Sequence, residues 1–136
     1  MPPLSAILET VLYCRDLDAA RHFYGHVLGL TEYSHQPGEY LFYRVGQGML
    51  LLFNPDRSRE KNRMGSPDQP PGHGCSGSGH MAFAIESDEV GNWRSRLEQH
   101  QVPIESEFTW PTGGQSIYFR DPADNSIELA TRNIWP

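Results

Sequence analysis

Lysine is nearly absent from this chain: Lys61 stands alone among 136 residues. Eleven Lys and Arg face seventeen Asp and Glu, for a formal net charge of -6. No basic stripe exists to follow a phosphate backbone, so nucleic acid is excluded as an expected partner. Cysteine is scarce too. Cys14 and Cys75 are the only two, too few for a disulfide framework and outside any paired metal or redox spacing. No apolar run approaches the roughly 20 residues that a membrane-spanning helix needs. Met1-Pro2-Pro3-Leu4 does not open a basic-then-apolar leader. These absences predict a cytoplasmic protein without membrane partners. What remains is ordinary globular composition, 38% hydrophobic, in a chain long enough to bury a core without disulfides.

The most informative stretch is Ser78-Gly79-His80-Met81-Ala82-Phe83-Ala84-Ile85. On a strand period of two, Met81, Phe83 and Ile85 point one way and His80, Ala82 and Ala84 the other. The first face is core. The second is an imidazole beside two methyl groups, which leaves open space around it. A lone strand histidine is more often structural than a ligand, so the rest of the chain has to decide.

That rest is written twice. Residues 7–14 read as a strand, Asp16 as a helix N-cap, and Ala19, Ala20, Phe23, Tyr24, Val27 and Leu28 as one helical stripe stopped by Gly29. A short strand over 30–34 follows, then a hairpin of residues 39–45 and 49–53. After a Pro/Gly/Ser-rich connector the order returns: a strand from His80, a helix capped by Asp88, a short strand after Pro103, and a hairpin of residues 115–120 and 126–131 turned by Asp121-Pro122-Ala123-Asp124-Asn125. Glu9 falls on His80, Leu12 on Phe83, Arg44 on Arg120, and Leu51 on Glu128. The expected fold is α+β: two βαβββ modules in tandem, about 5–54 and 79–132, forming a cupped, barrel-like mixed sheet with helices outside. Residues 55–78 are the connecting loop of a single domain spanning 1–136, a length that points to function or motion.

The repeat gives the histidine company. Glu128 shares a strand face with Ala130, between the core residues Ile127 and Leu129, and an unpaired carboxylate there is costly. Glu9, His80 and Glu128 supply one imidazole and two carboxylates, a set suited to a divalent Fe, Mn, Co, Ni or Zn ion rather than calcium. Leu51 leaves the fourth corner empty, as a catalytic metal requires.

The residues now in view carry a resemblance. Val11-Leu12-Tyr13-Cys14-Arg15-Asp16-Leu17, Phe23-Tyr24, Val27-Leu28-Gly29-Leu30, Gly79-His80-Met81-Ala82-Phe83 and Tyr118-Phe119-Arg120-Asp121-Pro122, with Asn125, Ile127, Glu128 and Leu129, resemble the vicinal oxygen chelate superfamily. This is the glyoxalase/bleomycin-resistance/extradiol-dioxygenase group. The resemblance implies paired βαβββ modules, homodimers, and a divalent metal held by the first strand of each module and a glutamate on the last. His80 and Glu128 match that pattern; Glu9 stands where histidine is common, and Leu51 departs from the glyoxalase I set.

Strand parity places Ser116 and Tyr118 toward the cup. Tyr118 is an acid, a hydrogen-bond donor or a core residue, with Glu128 the other candidate catalytic group. Ser116, Tyr118, Trp110 and His73 are candidate substrate-binding residues, and Trp110 is equally suited to packing. Arg120 and Arg44 are expected to pair structurally near their turns. The leading expectation is a metal-dependent enzyme whose small-molecule substrate chelates the metal through oxygens, as lyase, isomerase, thiol transferase or dioxygenase. The alternative is a metal-free drug-sequestering protein in which Trp110, Tyr118, Phe53 and Tyr43 stack on a planar ligand.

Overall fold

The structure, a computed structural model, describes residues 1–60 and 67–136. The chain divides into two compact units, Met1–Ser76 and Gly77–Pro136. Each repeats strand, helix and three strands, so the fold is α+β in two βαβββ modules. Among the described residues each module holds one four-stranded mixed sheet.

In the first unit, β1 (Glu9–Tyr13) leads to α1 (Leu17–Arg21), then β2 (Thr31–Gln36), β3 (Tyr40–Val45), β4 (Gly48–Phe53) and the short α2 (Pro55–Ser58). The strands run β1-β4-β3-β2, with β1 parallel to β4 and the other pairs antiparallel. Asp16 caps α1 by accepting the Ala19 amide at 3.0 Å, which satisfies one of the orphan donors at a helix start. Leu41, Tyr43, Leu50 and Leu52 bury one sheet face, and Ala20, Phe23, Tyr24 and Val27 are buried on the helical segment. Each such large apolar side chain stabilises by about 1.5–3 kcal/mol.

The second unit repeats this with β5 (His80–Ile85), α3 (Val90–Gln99), β6 (Ile104–Thr109), β7 (Gln115–Arg120) and β8 (Ser126–Thr131), in the order β5-β8-β7-β6. Ile85, Ile117, Phe119, Ile127 and Leu129 are its buried sheet residues, and Val90 and Leu97 those of α3. The registers make the duplication concrete. Glu9 lies opposite Met49 and Val11 opposite Leu51; His80 lies opposite Ser126 and Ala82 opposite Glu128. Glu9 and His80 are therefore equivalent positions, as are Leu51 and Glu128.

Several expectations are corrected. The first helical stripe is not one α-helix: after Arg21 the backbone widens into a π-helical His22–Val27. Over so short a run, inward residues at 23, 24 and 27 satisfy either winding, so the pattern cannot separate them. Gly29 does end it, at φ +74°. Asp88 is not a cap. It lies inside a 3₁₀ turn, Ser87–Glu89, whose N-cap is Glu86 in a reciprocal capping box with Glu89. Residues 55–78 are not wholly loop, since Asn54 caps α2 and Pro55 opens it; residues 61–66 of that stretch lie outside the described residues. Tyr43 is no ligand-stacking ring, because it is fully buried and its hydroxyl donates to the Arg21 carbonyl. Arg120 pairs with Glu105 at 2.8 Å as expected, whereas Arg44 lies over the Tyr33 ring at 5.3 Å.

Candidate functional site

The site of the second unit is built from the turn that joins β7 to β8. The Asp121 carboxylate accepts the Ala123 and Asn125 amides and the Asn125 side-chain amide, each at 2.9 Å. Asp124 is thereby held at φ +66°, a left-handed conformation that aspartate tolerates. The turned-in Asn125 side-chain Oδ1 accepts the Gly79 amide at 2.7 Å, and the Ser126 amide donates to the Gly79 carbonyl at 2.9 Å. Two turn residues thus fix the entry of β5, and with it His80.

His80 Nδ1 meets the Ser126 carbonyl oxygen at 3.0 Å. A carbonyl only accepts, so Nδ1 carries the proton. The other nitrogen, Nε2, is thereby left facing Glu128 Oε2 at 3.2 Å, with the Glu128 side chain 7% exposed and that of His80 53%. In the neutral imidazole this sets a lone pair against a carboxylate. Either a proton or a metal cation between the two groups relieves that opposition, and a ring held through its far nitrogen is how histidine ligands are oriented. The pair therefore fits a divalent cation.

Around the carboxylate the other donors converge. Ser116, 1% exposed, donates its hydroxyl to Glu128 Oε1 at 2.5 Å, and the Trp110 indole N–H donates to Ser116 Oγ at 2.8 Å. Tyr118 lies opposite Glu128 across the β7–β8 ladder. Its ring stacks with that of His80, centroids 6.4 Å apart. Burial raises the Tyr118 pKa above the ordinary tyrosine value, and its hydrogen bond to Glu128 pushes the same way against a smaller opposing effect of Ser116. Tyr118 therefore keeps its proton at neutral pH and acts as a donor.

His80, Glu128, Ser116, Tyr118 and Trp110 thus stand in one network. Trp110 enters it through Ser116, whose hydroxyl oxygen accepts the indole N–H. His73 belongs to the first unit. There the Tyr13 hydroxyl and His73 Nδ1 are 2.7 Å apart, and the His73 ring meets Phe53 edge-on at 4.6 Å. Glu9 is exposed at the start of β1 in the same unit. Among the described residues, no group of three or more His, Cys, Asp or Glu side chains is gathered as for a metal ion. The sequence reading passed over Tyr13, whose alternation with Val11 and Glu9 was the available signal. It also passed over the Ser126 carbonyl, which no sequence pattern reveals.

Comparison with known proteins adds a second line. The sequence matches the Glyoxalase/Bleomycin resistance protein/Dioxygenase superfamily over residues 6–129. The chain is similar to a lactoylglutathione lyase from Agrobacterium tumefaciens, with 41% identity, a TM-score of 0.91 and 98% of each chain covered. It is similar to a glyoxalase/bleomycin resistance protein/dioxygenase from Nocardioides, with 25% identity and a TM-score of 0.73 over 96% of this chain and 85% of that one. It shares its fold with the fosfomycin resistance protein FosX of Listeria monocytogenes, at 21% identity and a TM-score of 0.68 over 95% and 94% of the two chains.

Proposed function

The chain belongs to the glyoxalase/bleomycin resistance protein/dioxygenase superfamily, and from that premise we propose a divalent-metal-dependent enzyme of the vicinal oxygen chelate type with lyase or isomerase chemistry. The observation that carries the proposal is the His80–Glu128 pair: a buried carboxylate facing, at 3.2 Å, an imidazole nitrogen whose partner nitrogen is already committed to a carbonyl. The 41% identity to a lactoylglutathione lyase supports the choice of reaction class.

His80 Nε2 and Glu128 Oε2 would hold the ion, and Glu9, the register equivalent of His80, would be the third ligand. When bound, the ion supplies Lewis acidity toward a substrate that presents two neighbouring oxygens. The protein's own groups do the rest. Trp110 and Ser116 hold the Glu128 carboxylate in one orientation. Ser126 holds the imidazole. Tyr118, protonated at neutral pH, donates to a substrate oxygen as negative charge develops there. Family membership supports a small-molecule substrate and the dimer. Among the described residues no helix is long and apolar enough to cross a membrane, and the proposed location is the cytoplasm.

The test is elemental analysis of protein purified without chelator, beside the Glu128→Gln variant, with turnover of lactoylglutathione followed in both. Stoichiometric metal and turnover in the parent, both lost in the variant, are the expected result. A parent that neither retains nor takes up metal sinks the proposal and favours the sequestering alternative. Metal without turnover of this substrate leaves the ion standing and overturns the lyase assignment.

A further inference from the structure

Two imidazoles that the proposed active site does not use stand together on the helical segment of the first unit. His22 and His26 are both exposed, and their rings stack with centroids 5.0 Å apart and planes at 29°. The backbone explains the pairing. Phe23, Tyr24, Val27 and Leu28 are buried, so residues 22 and 26, four apart, share the solvent face. The winding here is π rather than α, with the Leu28 amide donating to the Phe23 carbonyl at 2.9 Å, and single π turns within helices are frequently found at functional sites. The turn is held from beneath. The Tyr43 hydroxyl donates to the Arg21 carbonyl at 3.4 Å, and a Cβ on Gly25 would lie 3.2 Å from that hydroxyl, so glycine lets the turn sit close on the Tyr43 ring. The charges suit a cation as well. His26 lies in the last turn, where the helix end carries partial negative charge. The neighbouring Arg21 guanidinium is committed to Glu32 at 2.7 Å.

We propose that His22 and His26 form a second metal site, one that takes Cu(II). Two histidines four residues apart on one helical face are the arrangement that helical zinc sites use. Imidazole suits copper, nickel and zinc, and of the first-row divalent ions Cu(II) binds a given nitrogen site most tightly. Two imidazole nitrogens, each about 2.0–2.1 Å from one ion, lie at most about 4 Å apart. Rings 5.0 Å apart centre to centre reach that span with a small tilt at an exposed face. Each ring gives one nitrogen, and its other nitrogen is left for the hydrogen bond that orients such ligands. Among the described residues no third His, Cys, Asp or Glu joins the pair, so water fills the remaining positions of the ion. The site is therefore a two-point surface chelate. It shares no residue with Glu9, His80 and Glu128, and it stands whether or not those three hold an ion.

The probe is Cu(II), added as its glycine complex to the untagged, ¹⁵N-labelled full chain and followed by paramagnetic loss of amide signals. Saturable loss over residues 21–28 is expected, in the parent and in Glu128→Gln alike. His22→Asn and His26→Asn should each weaken that binding about a hundredfold, because losing either imidazole removes the chelate. Both positions are exposed, and the map of the parent is read without either variant. Absence of saturable loss over residues 21–28 overturns the inference. So does loss there that disappears with Glu128→Gln, or that survives either histidine change at the same copper concentration.

Discussion

Replacing Ser116 with alanine isolates what the Glu128 network contributes. The serine is 1% exposed and its hydroxyl links the Trp110 indole to the carboxylate. A hydrogen bond to a charged group contributes about 1.5–3 kcal/mol when its partner stays buried. The Trp110 N–H is released at a half-exposed position where water replaces the lost acceptor, so it adds little. The expected destabilisation is about 2 kcal/mol. With an unfolding entropy of about 2.1 cal/mol/K per residue, a chain of 136 residues then melts about 7 °C lower, and a second unit melting alone would fall further. Losing the support of a ligating carboxylate should also cost metal affinity about 10–100-fold. The assay is a thermal melt by circular dichroism with and without Mn(II) or Zn(II), and a competition titration for the affinity. Ser126→Ala is the control: that residue serves His80 through its backbone carbonyl, and the change should stay within about 0.5 kcal/mol. A Ser116→Ala variant that melts within 1 °C of the parent and binds metal equally well would refute the reasoning.

Tyr43 predicts an alkaline limb. Burial, aided by the charge of Glu32, pushes its pKa from 10.0 to about 12. The native chain therefore keeps a proton that the unfolded chain releases. Stability from this group is whole below pH 10 and is lost as pH rises toward 12, by about 3 kcal/mol in all. Urea melts of the parent and Tyr43→Phe at pH 8 and 11 should converge at the higher pH; parallel curves would contradict this. Tyr118→Phe should leave metal content and melting unchanged while kcat falls about 10²–10⁴-fold. In the parent, activity should persist to a pH above the ordinary tyrosine range, since the Tyr118 pKa is raised; unchanged kcat would remove Tyr118 from the mechanism. Gly114→Ala puts a methyl 2.7 Å from Ile134 Cγ2 and 2.8 Å from its backbone nitrogen, for a cost of about 1–3 kcal/mol. Gly91→Ala, in α3 with open space around it, should instead stabilise by about 0.5–1 kcal/mol. Equal melting temperatures for the two variants would count against the packing at Ile134.

Much of the fold was legible because it depends on alternation and repetition, which are linear properties. The β7–β8 hairpin was read with its observed bounds, Gln115–Arg120 and Ser126–Thr131, because Asp-Pro and Asp-Asn mark the turn so strongly. The α2 helix was not, since four residues between prolines and charges make no periodic signal. The capping role moved from Asp88 to Glu86 because either acid is favoured near the positive end of a helix. Only the reach of Glu89 back to the Glu86 amide separates them.

By itself the sequence set Ser116, Tyr118 and Glu128 on one strand face by parity across the hairpin, and the parallel β5–β8 register of the structure adds His80 to that face. The sequence also determined the duplication that makes Glu9 the counterpart of His80. Only the tertiary structure decided which imidazole nitrogen faces the carboxylate, because the Ser126 carbonyl that settles it lies 46 residues away. It alone joined Trp110 to Ser116 and placed His73 against Tyr13 and Phe53. Side-chain rotamers and loop paths are set by contacts between distant segments, and no pattern along the chain encodes them.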